Sequence, residues 1–427
     1  MPQYDSYTDS QIPYVGLIPS HWKTVQNKRV MHKEKRICTS YAGQDIISLT
    51  VNGVIVRDLG AGGKMPATFD GYQFVYPGEL LMCLFDIDVT PRCVGKVYNE
   101  GLTSPAYSSF VLHDNADLGF YYYYYLMLDH TKELLHFAKN LRHSLTEEQL
   151  GQIKVPLPPL SEQCAIAEFL DSRIAHIDSV IAEAKASIEE YKMWKASVIY
   201  EAVTKGLDPD VEMKDSGVEW IGGMPANWNT SRVGLHYDII LGKMLCPTKL
   251  SDNYTLEKYY CAADVHFDGI ADNEYKSMWF SSSEKEKYIV REGDLLVVEG
   301  GAGAGGAAIA TPTDFPMYVQ NSILIVRDRI STDNRYLRYW LESLNVRGYI
   351  DFACNKATIP HFTKEKLGET PYLVVPVSER IAISDYLDEK THAINTLIAE
   401  KETLISDLET YKKALIFEVV TGKRRVE

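Results

Sequence analysis

The sequence predicts an α+β fold: two mixed α/β domains separated by two long helices that pair as an antiparallel coiled coil, in a pseudo-twofold internal repeat. Three observations predict it. One block of sequence occurs twice at a fixed offset, both copies lack Gly and Pro, and both carry apolar residues at heptad spacing. The order along the chain is a first domain over 1–155, a long helical unit over 156–206, a second domain over 207–373 and a second helical unit over 374–427.

The repeat is the strongest signal. Ser161-Glu162-Gln163-Cys164-Ala165-Ile166 reappears 217 residues later as Ser378-Glu379-Arg380-Ile381-Ala382-Ile383, and 16 of 44 positions match without a gap. Average residue usage would leave about 3 matches by chance. A second pair precedes the helices: Gly16, Pro19 and Trp22 match Gly222, Pro225 and Trp228. Gly78-Glu79-Leu80-Leu81 mirrors Gly293-Asp294-Leu295-Leu296, and Thr146 and Leu150 mirror Thr363 and Leu367. Two copies are too few for a solenoid, so a pseudo-twofold body is expected.

The helical units carry start and stop signals. Pro156, Pro158 and Pro159 hold the approach extended, because a residue before proline avoids the helical region. Ser161 is the expected N-cap, with Glu162 on the positive end of the helix dipole, and Ser378 and Glu379 repeat the arrangement. Gly206 and Gly422 supply the glycine that helix C-termini favour. About 40 residues at 1.5 Å rise give a rod of roughly 60 Å.

Leu170, Ile174, Ile177, Ile181, Ile188 and Tyr191 follow alternating steps of four and three, with Ala184 in the same row. In the second unit the same slots hold Leu387, Thr391, Ile394, Ile398, Lys401, Ile405, Leu408, Lys412 and Leu415. Lys195 and Lys412 fill one matched polar slot. This spacing is a coiled-coil seam, against the alternative of two unrelated amphipathic helices each packed on its own domain. A second apolar stripe (Val180, Trp194 and Ile199; Leu397, Tyr411 and Ile416) calls for further burial, either against the chain's own domains or against another protein.

In the domains, Asp45–Leu49, Phe74–Tyr76, Leu295–Val298 and Ser322–Val326 read as strands. The run from Phe120 to Leu128, with five consecutive tyrosines, reads as a packed helix with rings on the core rather than as a base-stacking platform. Its counterpart is Tyr336–Leu341. The Gly-rich stretch from Glu299 to Gly306 follows a strand but lacks the Lys-Ser/Thr of a phosphate-binding loop and the acidic residue of a dinucleotide site. A loop able to approach a ligand closely is all it implies. Its counterpart in the first half runs from Asp86 to Lys96.

Catalytic and metal signatures are weak. Glu212 and Lys214 near Asp210 only superficially suggest a nuclease site. Cys354 with His361, and Cys261 with His266, lack further nearby ligands, so no catalytic residue and no metal site is expected. Seven cysteines without a C-x-x-C pair, no apolar run long enough for a membrane span and a polar N-terminus point to a reducing, cytoplasmic setting. The net charge is −14 and each of the four regions carries more acidic than basic residues. A nucleic-acid partner would therefore have to meet positive loops on an acidic body.

Pro156-Leu157-Pro158-Pro159-Leu160-Ser161-Glu162-Gln163 entering a long helix, together with the two Gly-x-x-Pro-x-x-Trp openings, resembles the specificity subunits of type I restriction–modification systems. The resemblance covers essentially the whole chain. The second helix entry departs from the pattern, with fewer prolines and Arg380 where Gln is usual. The resemblance implies two target recognition domains, each reading one half of a bipartite site on double-stranded DNA. It implies paired helices that set the spacer and dock two modification subunits, which would methylate adenine; restriction subunits join in some systems. It implies no enzymatic activity and no cofactor in this chain, with S-adenosylmethionine, ATP and Mg confined to partner subunits. Candidate DNA-binding residues are Arg92, Lys96, Lys139, Arg142 and His143 in the first domain, and Lys243, Lys249, Asn355, Lys356 and Thr358 in the second. The competing reading is a coiled-coil scaffold whose domains bind partners other than nucleic acid, for which the acidity is natural.

Overall fold

The computed structural model describes residues 3–61, 66–138, 143–272, 274–354 and 360–426. The chain divides into two compact units, Met1–Lys185 with Glu402–Glu427, and Ala186–Lys401. The division falls inside the two long helices, so each unit owns one half of each helix.

In the first unit, β1 (Lys23–Gln26), β2 (Met31–Glu34), β3 (Leu80–Cys83), β4 (Val94–Lys96) and β5 (Tyr107–Leu112) precede the tyrosine helix α1 (Leu118–His130). A short helix α2 (Glu147–Gln152), strand β6 (Lys154–Leu157) and the long helix α3 (Leu160–Lys205) follow. The main sheet has the order β2-β5-β3-β4, all antiparallel, and β6 pairs with β1 at the helix entry. Every residue of β3 is buried, which is why it reads as a continuous apolar run.

The second unit repeats this order. β7 (Asn229–Arg232), β8 (Tyr237–Leu241), β9 (Leu295–Val298), β10 (Ala307–Ile309) and β11 (Ile323–Asp328) lead into α4 (Arg335–Val346). Then come α5 (Lys364–Glu369), β12 (Pro371–Val374) and the long helix α6 (Val377–Val420). Its main sheet is β8-β11-β9-β10, and β12 pairs with β7. Phe110 lies opposite Leu80 and Val326 opposite Leu295, so the two sheets share register as well as order. The matched acidic residue at the head of the central strand is a buried anchor in both: Glu79 binds Arg36, and Asp294 takes both arms of the Arg327 guanidinium at 2.7 Å.

The expected elements form, with shifted ends. The first expected strand runs Ile47–Thr50 and the second Gln73–Val75. Tyr121, Tyr124 and Tyr125 are fully buried and stack edge-on along the core, so the tyrosine run is packing and not a base platform.

The helices run antiparallel. In the first unit, Leu170, Ile174, Ile177 and Ile181 of α3 share one core with Ile405, Leu408, Leu415 and Val419 of α6, and Lys412 pairs with Asp178 at 2.5 Å. In the second unit, Ile199, Ala202 and Val203 near the end of α3 share a core with Ile383 and Leu387 near the start of α6. The remaining seam positions follow suit: Ile188 and Ile394 are buried, and Tyr191 and Ile398 half-buried. The polar slot diverges, since Lys195 turns to Glu342 and Asp268 at 3.5 and 3.3 Å. The second stripe splits too: Ile199 and Ile416 are core, whereas Trp194, Leu397 and Tyr411 are exposed.

One expectation is corrected. The helices begin at Leu160 and Val377, and the carbonyls of Pro159 and Pro376 accept the first helical N–H groups. Ser161 and Ser378 therefore lie inside the first turn and are not the caps. Glu162 and Glu379 hold the Trp motifs instead. Trp228 Nε1 donates to Glu379 at 3.1 Å, while Tyr4 and His21 meet Glu162. Gly206, closing α3, abuts Trp228, and Gly422, closing α6, abuts Pro19 and Trp22. The conformations at the two glycines are left-handed, with φ of +76° and +70°. The Gly-x-x-Pro-x-x-Trp motif is thus a seat on which, within each unit, the start of one long helix and the end of the other converge.

Candidate nucleic-acid interface

In each unit the central strand runs out into a loop: residues 84–93 after β3 and 299–306 after β9. A second segment lies alongside it, just ahead of the Thr-capped short helix. Thr146 caps α2 and Thr363 caps α5, each accepting the N–H three residues on. In the first unit, Leu145 N–H donates to the Leu84 carbonyl at 2.8 Å. In the second, Phe362 N–H donates to the Glu299 carbonyl at 2.6 Å. These paired segments are where side chains leave the rigid sheet for the surface, the usual place for recognition residues.

The first loop is tied to α1. Asp129, buried on that helix, accepts the Cys93 N–H at 2.7 Å and pairs with Lys132 at 2.9 Å, and Lys132 also donates to the carbonyls of Ile87 and Thr90. Burial beside Asp129 drives the Cys93 thiol far above its ordinary pKa. The second loop folds on glycine. A Cβ on Gly300 would come within 2.6 Å of His361 Nδ1, and one on Gly305, at φ +84°, would strike Ile350.

The candidate cations separate by environment. Arg92 donates to the carbonyls of Val94 and Val51 and to Tyr122 Oη. Lys96 pairs with Asp171 at 3.1 Å and lies over the Tyr122 and Tyr123 rings. The side chain of Lys243 is only 9% exposed, paired with Glu284 and held against Tyr254 and Phe280. All three are engaged within the body. Lys249 is open, with an exposed pair to Asp252 at 3.2 Å and the Trp279 ring 6.0 Å away. His143 is open as well, its Nδ1 2.9 Å from Asp88, whose carboxyl is held below the usual range mainly by that hydrogen bond. Lys139, Arg142, Asn355, Lys356 and Thr358 lie outside the described residues.

His361 and Glu299, whose side chains meet at 3.2 Å, had no place among the candidates. Their partnership spans 62 residues, and no spacing rule could have found it. Among the described residues no group of three or more His, Cys, Asp or Glu converges as metal ligands, and no helix is long and apolar enough to cross a membrane.

Residues 93–190 match the family model described as the type I restriction modification DNA specificity domain. The match identifies a type I DNA specificity domain over that stretch, which runs from the end of the first recognition loop into the long helix α3. Relatives by sequence include the putative type I restriction enzyme MjaX specificity subunit of Methanocaldococcus jannaschii. It is 26% identical over 315 residues, covering 72% of this chain and 68% of the relative. The MjaVIII specificity subunit of the same organism is 25% identical, covering 64% of this chain and 63% of its own length. Among solved structures, a chain from work on complex assembly and conformational transition of the type I R-M system superposes with a TM-score of 0.70. It is 17% identical, over 94% of this chain and 98% of that one. The HsdS subunit from Thermoanaerobacter tengcongensis gives a TM-score of 0.54 at 17% identity, covering 95% and 98%. The domain match and these relatives support the specificity-subunit reading of the sequence, and the fold of the chain is the one found in these solved structures.

Proposed function

We propose that this specificity-subunit chain is the non-catalytic DNA-reading component of a type I restriction–modification complex. Each unit reads one short half of a bipartite target, and the two helices set the gap between the halves. The observation that supports it most is the doubling itself. Sheet order, strand register, capped short helix and Trp seat all recur, while the loops at the end of the central strand differ completely between units. One frame carried twice with different loops is what reading two different half-sites requires, because phosphate contacts position a protein and base-edge contacts specify the sequence.

The helices of 46 and 44 residues run from one unit into the other, and their length is the ruler. Exposed apolar side chains in each unit, Trp194 and Leu397 in the second and Tyr411 in the first, are the docking points for modification subunits, which would bring S-adenosylmethionine and the base-flipping methyl transfer. ATP and Mg would belong to a restriction subunit where one is present. The test is selection of random-sequence duplexes by the full chain together with its modification subunits. Enrichment of two short sequences at one fixed gap is expected. Retention of DNA without any enriched sequence would contradict the reading and favour the scaffold.

A further inference from the structure

The loops that differ so completely between the units share one arrangement. In the first, the His143 ring meets Asp88, on the loop after the central strand β3, through Nδ1 at 2.9 Å. In the second, the His361 ring meets Glu299, on the loop after the corresponding strand β9, through Nδ1 at 3.2 Å. Both histidines precede the Thr-capped short helix, by three residues to Thr146 and by two to Thr363. The acids sit at different points of their loops, so the sequence alone does not align them. Other histidines also lie near carboxylates, such as His21 with Glu162 and His136 with Glu133. Only these two occupy the same topological place in both units among the described residues.

Each pair is built for orientation. The Nδ1–H of a neutral imidazole donates to the carboxylate, so the lone pair is left on Nε2. The His361 and His143 side chains are 55% and 48% exposed, so these rings are not core residues. His361 is further fixed where it stands. Lys366 Nζ donates to its carbonyl at 2.8 Å, and Gly300 lacks the Cβ that would collide with the ring. His143 holds a left-handed backbone, φ +42°, which a side-chain-bearing residue adopts only at a cost.

We propose that His361 and His143 are base-reading residues of their respective units, each offering Nε2 as a carboxylate-oriented acceptor to the exocyclic amino group of cytosine or adenine in the major groove. Glu299 and Asp88 are positioning residues. Among bases, only C N4 and A N6 present amino donors on that edge, so a bare acceptor discriminates by chemistry. The proposal rests on the DNA-reading function above and adds the residues and the base class.

The experiment is duplex selection at pH 8 with the full chain and its modification subunits, comparing wild type with separate variants. His361→Ala is expected to lower discrimination at one base pair of one half-site by about tenfold or more and to leave the other half-site unchanged. His143→Ala is expected to do the same in the opposite half. Glu299→Ala is expected to relax the same base pair as His361→Ala, and Glu299→Gln, which keeps an oxygen acceptor for Nδ1–H, to restore it. Unchanged half-sites in both histidine variants would overturn the proposal. Uniform weakening on all sequences with a shallower salt dependence would also overturn it, since that marks a phosphate contact. If His361→Ala erases its entire half-site, the Glu299 variants decide: indistinguishable behaviour of Ala and Gln overturns the proposal. A wild-type complex that enriches no sequence contradicts the DNA-reading function itself, and this proposal falls with it.

Discussion

Arg380 and Asp328 form a buried ion pair at the point where the second long helix meets its sheet, their side chains 6% and 1% exposed. The guanidinium also donates to the hydroxyls of Tyr237 and Tyr372 at 3.1 Å each. The first unit solves the same junction without charge. Gln163 accepts from the Asp117 N–H at 2.8 Å and donates to the carbonyls of Asn115 and Pro158. Strand register places Leu112 where the second unit has Asp328. The second unit therefore carries Arg380 and Asp328, an acid seven residues before α4, where the first carries Gln163 and Leu112.

Removing one partner of such a pair strands the other. Arg380→Gln is expected to cost about 3–5 kcal/mol in denaturant unfolding, because the buried Asp328 carboxylate loses its cation and keeps the N–H groups of Ile330 and Ser331 as partners. The double variant Arg380→Gln with Asp328→Leu, which copies the first unit, is expected to recover most of that loss. Equal losses in the single and double variants would show that the junction does not depend on this pairing.

How far the sequence shows this protein depends on the range of the interaction. The helices were legible because a heptad is local: Leu170, Ile177 and Leu415 are buried where their spacing put them. The C-terminal glycines were legible for the same reason. The N-cap was misplaced because Ser161 is a strong cap type, yet Pro159 presents the carbonyl and Glu162 is drawn away to the Trp seat. The interface was hardest. Lys96 and Lys243 read as free cations until the fold brings Asp171 and Glu284 to them from 75 and 41 residues away. His361 reads in sequence only as a weak pair with Cys354, until the Gly-rich loop brings Glu299 against it.

The two closing glycines differ in how tightly they are seated, and substitution should rank them. A Cβ on Gly422 would drive into the Pro19 ring and come within 3.2 Å of Trp22, both rigid. On Gly206 the nearest atoms are Glu379 Oε1 at 3.3 Å and Trp228 at 3.4 Å. Both Ala variants carry a left-handed-conformation cost of about 1–2 kcal/mol. Gly422→Ala is expected to lower the thermal midpoint further than Gly206→Ala, measured on the full chain. The reverse order would contradict the seat geometry.

The seam and the outer stripe should respond differently. Ile177→Ala opens a cavity between the helices and is expected to cost about 2–5 kcal/mol in stability. Trp194 is 50% exposed, so Trp194→Ala is expected to leave stability within about 0.5 kcal/mol. It should nonetheless weaken association with the modification subunit, read by calorimetric titration. Unaltered association in Trp194→Ala and Tyr411→Ala together would remove this stripe as the docking surface.

If helix length fixes the gap between the two DNA half-sites, longer helices must widen it. Inserting one heptad into α3 and one at the matching level of α6 keeps the seam in register and lengthens both rods by about 10 Å. Methylation mapping of cells carrying that chain with its modification partner should show both half-sites unchanged and a longer spacer between them. The original spacer, retained alongside full methylation, would contradict the account.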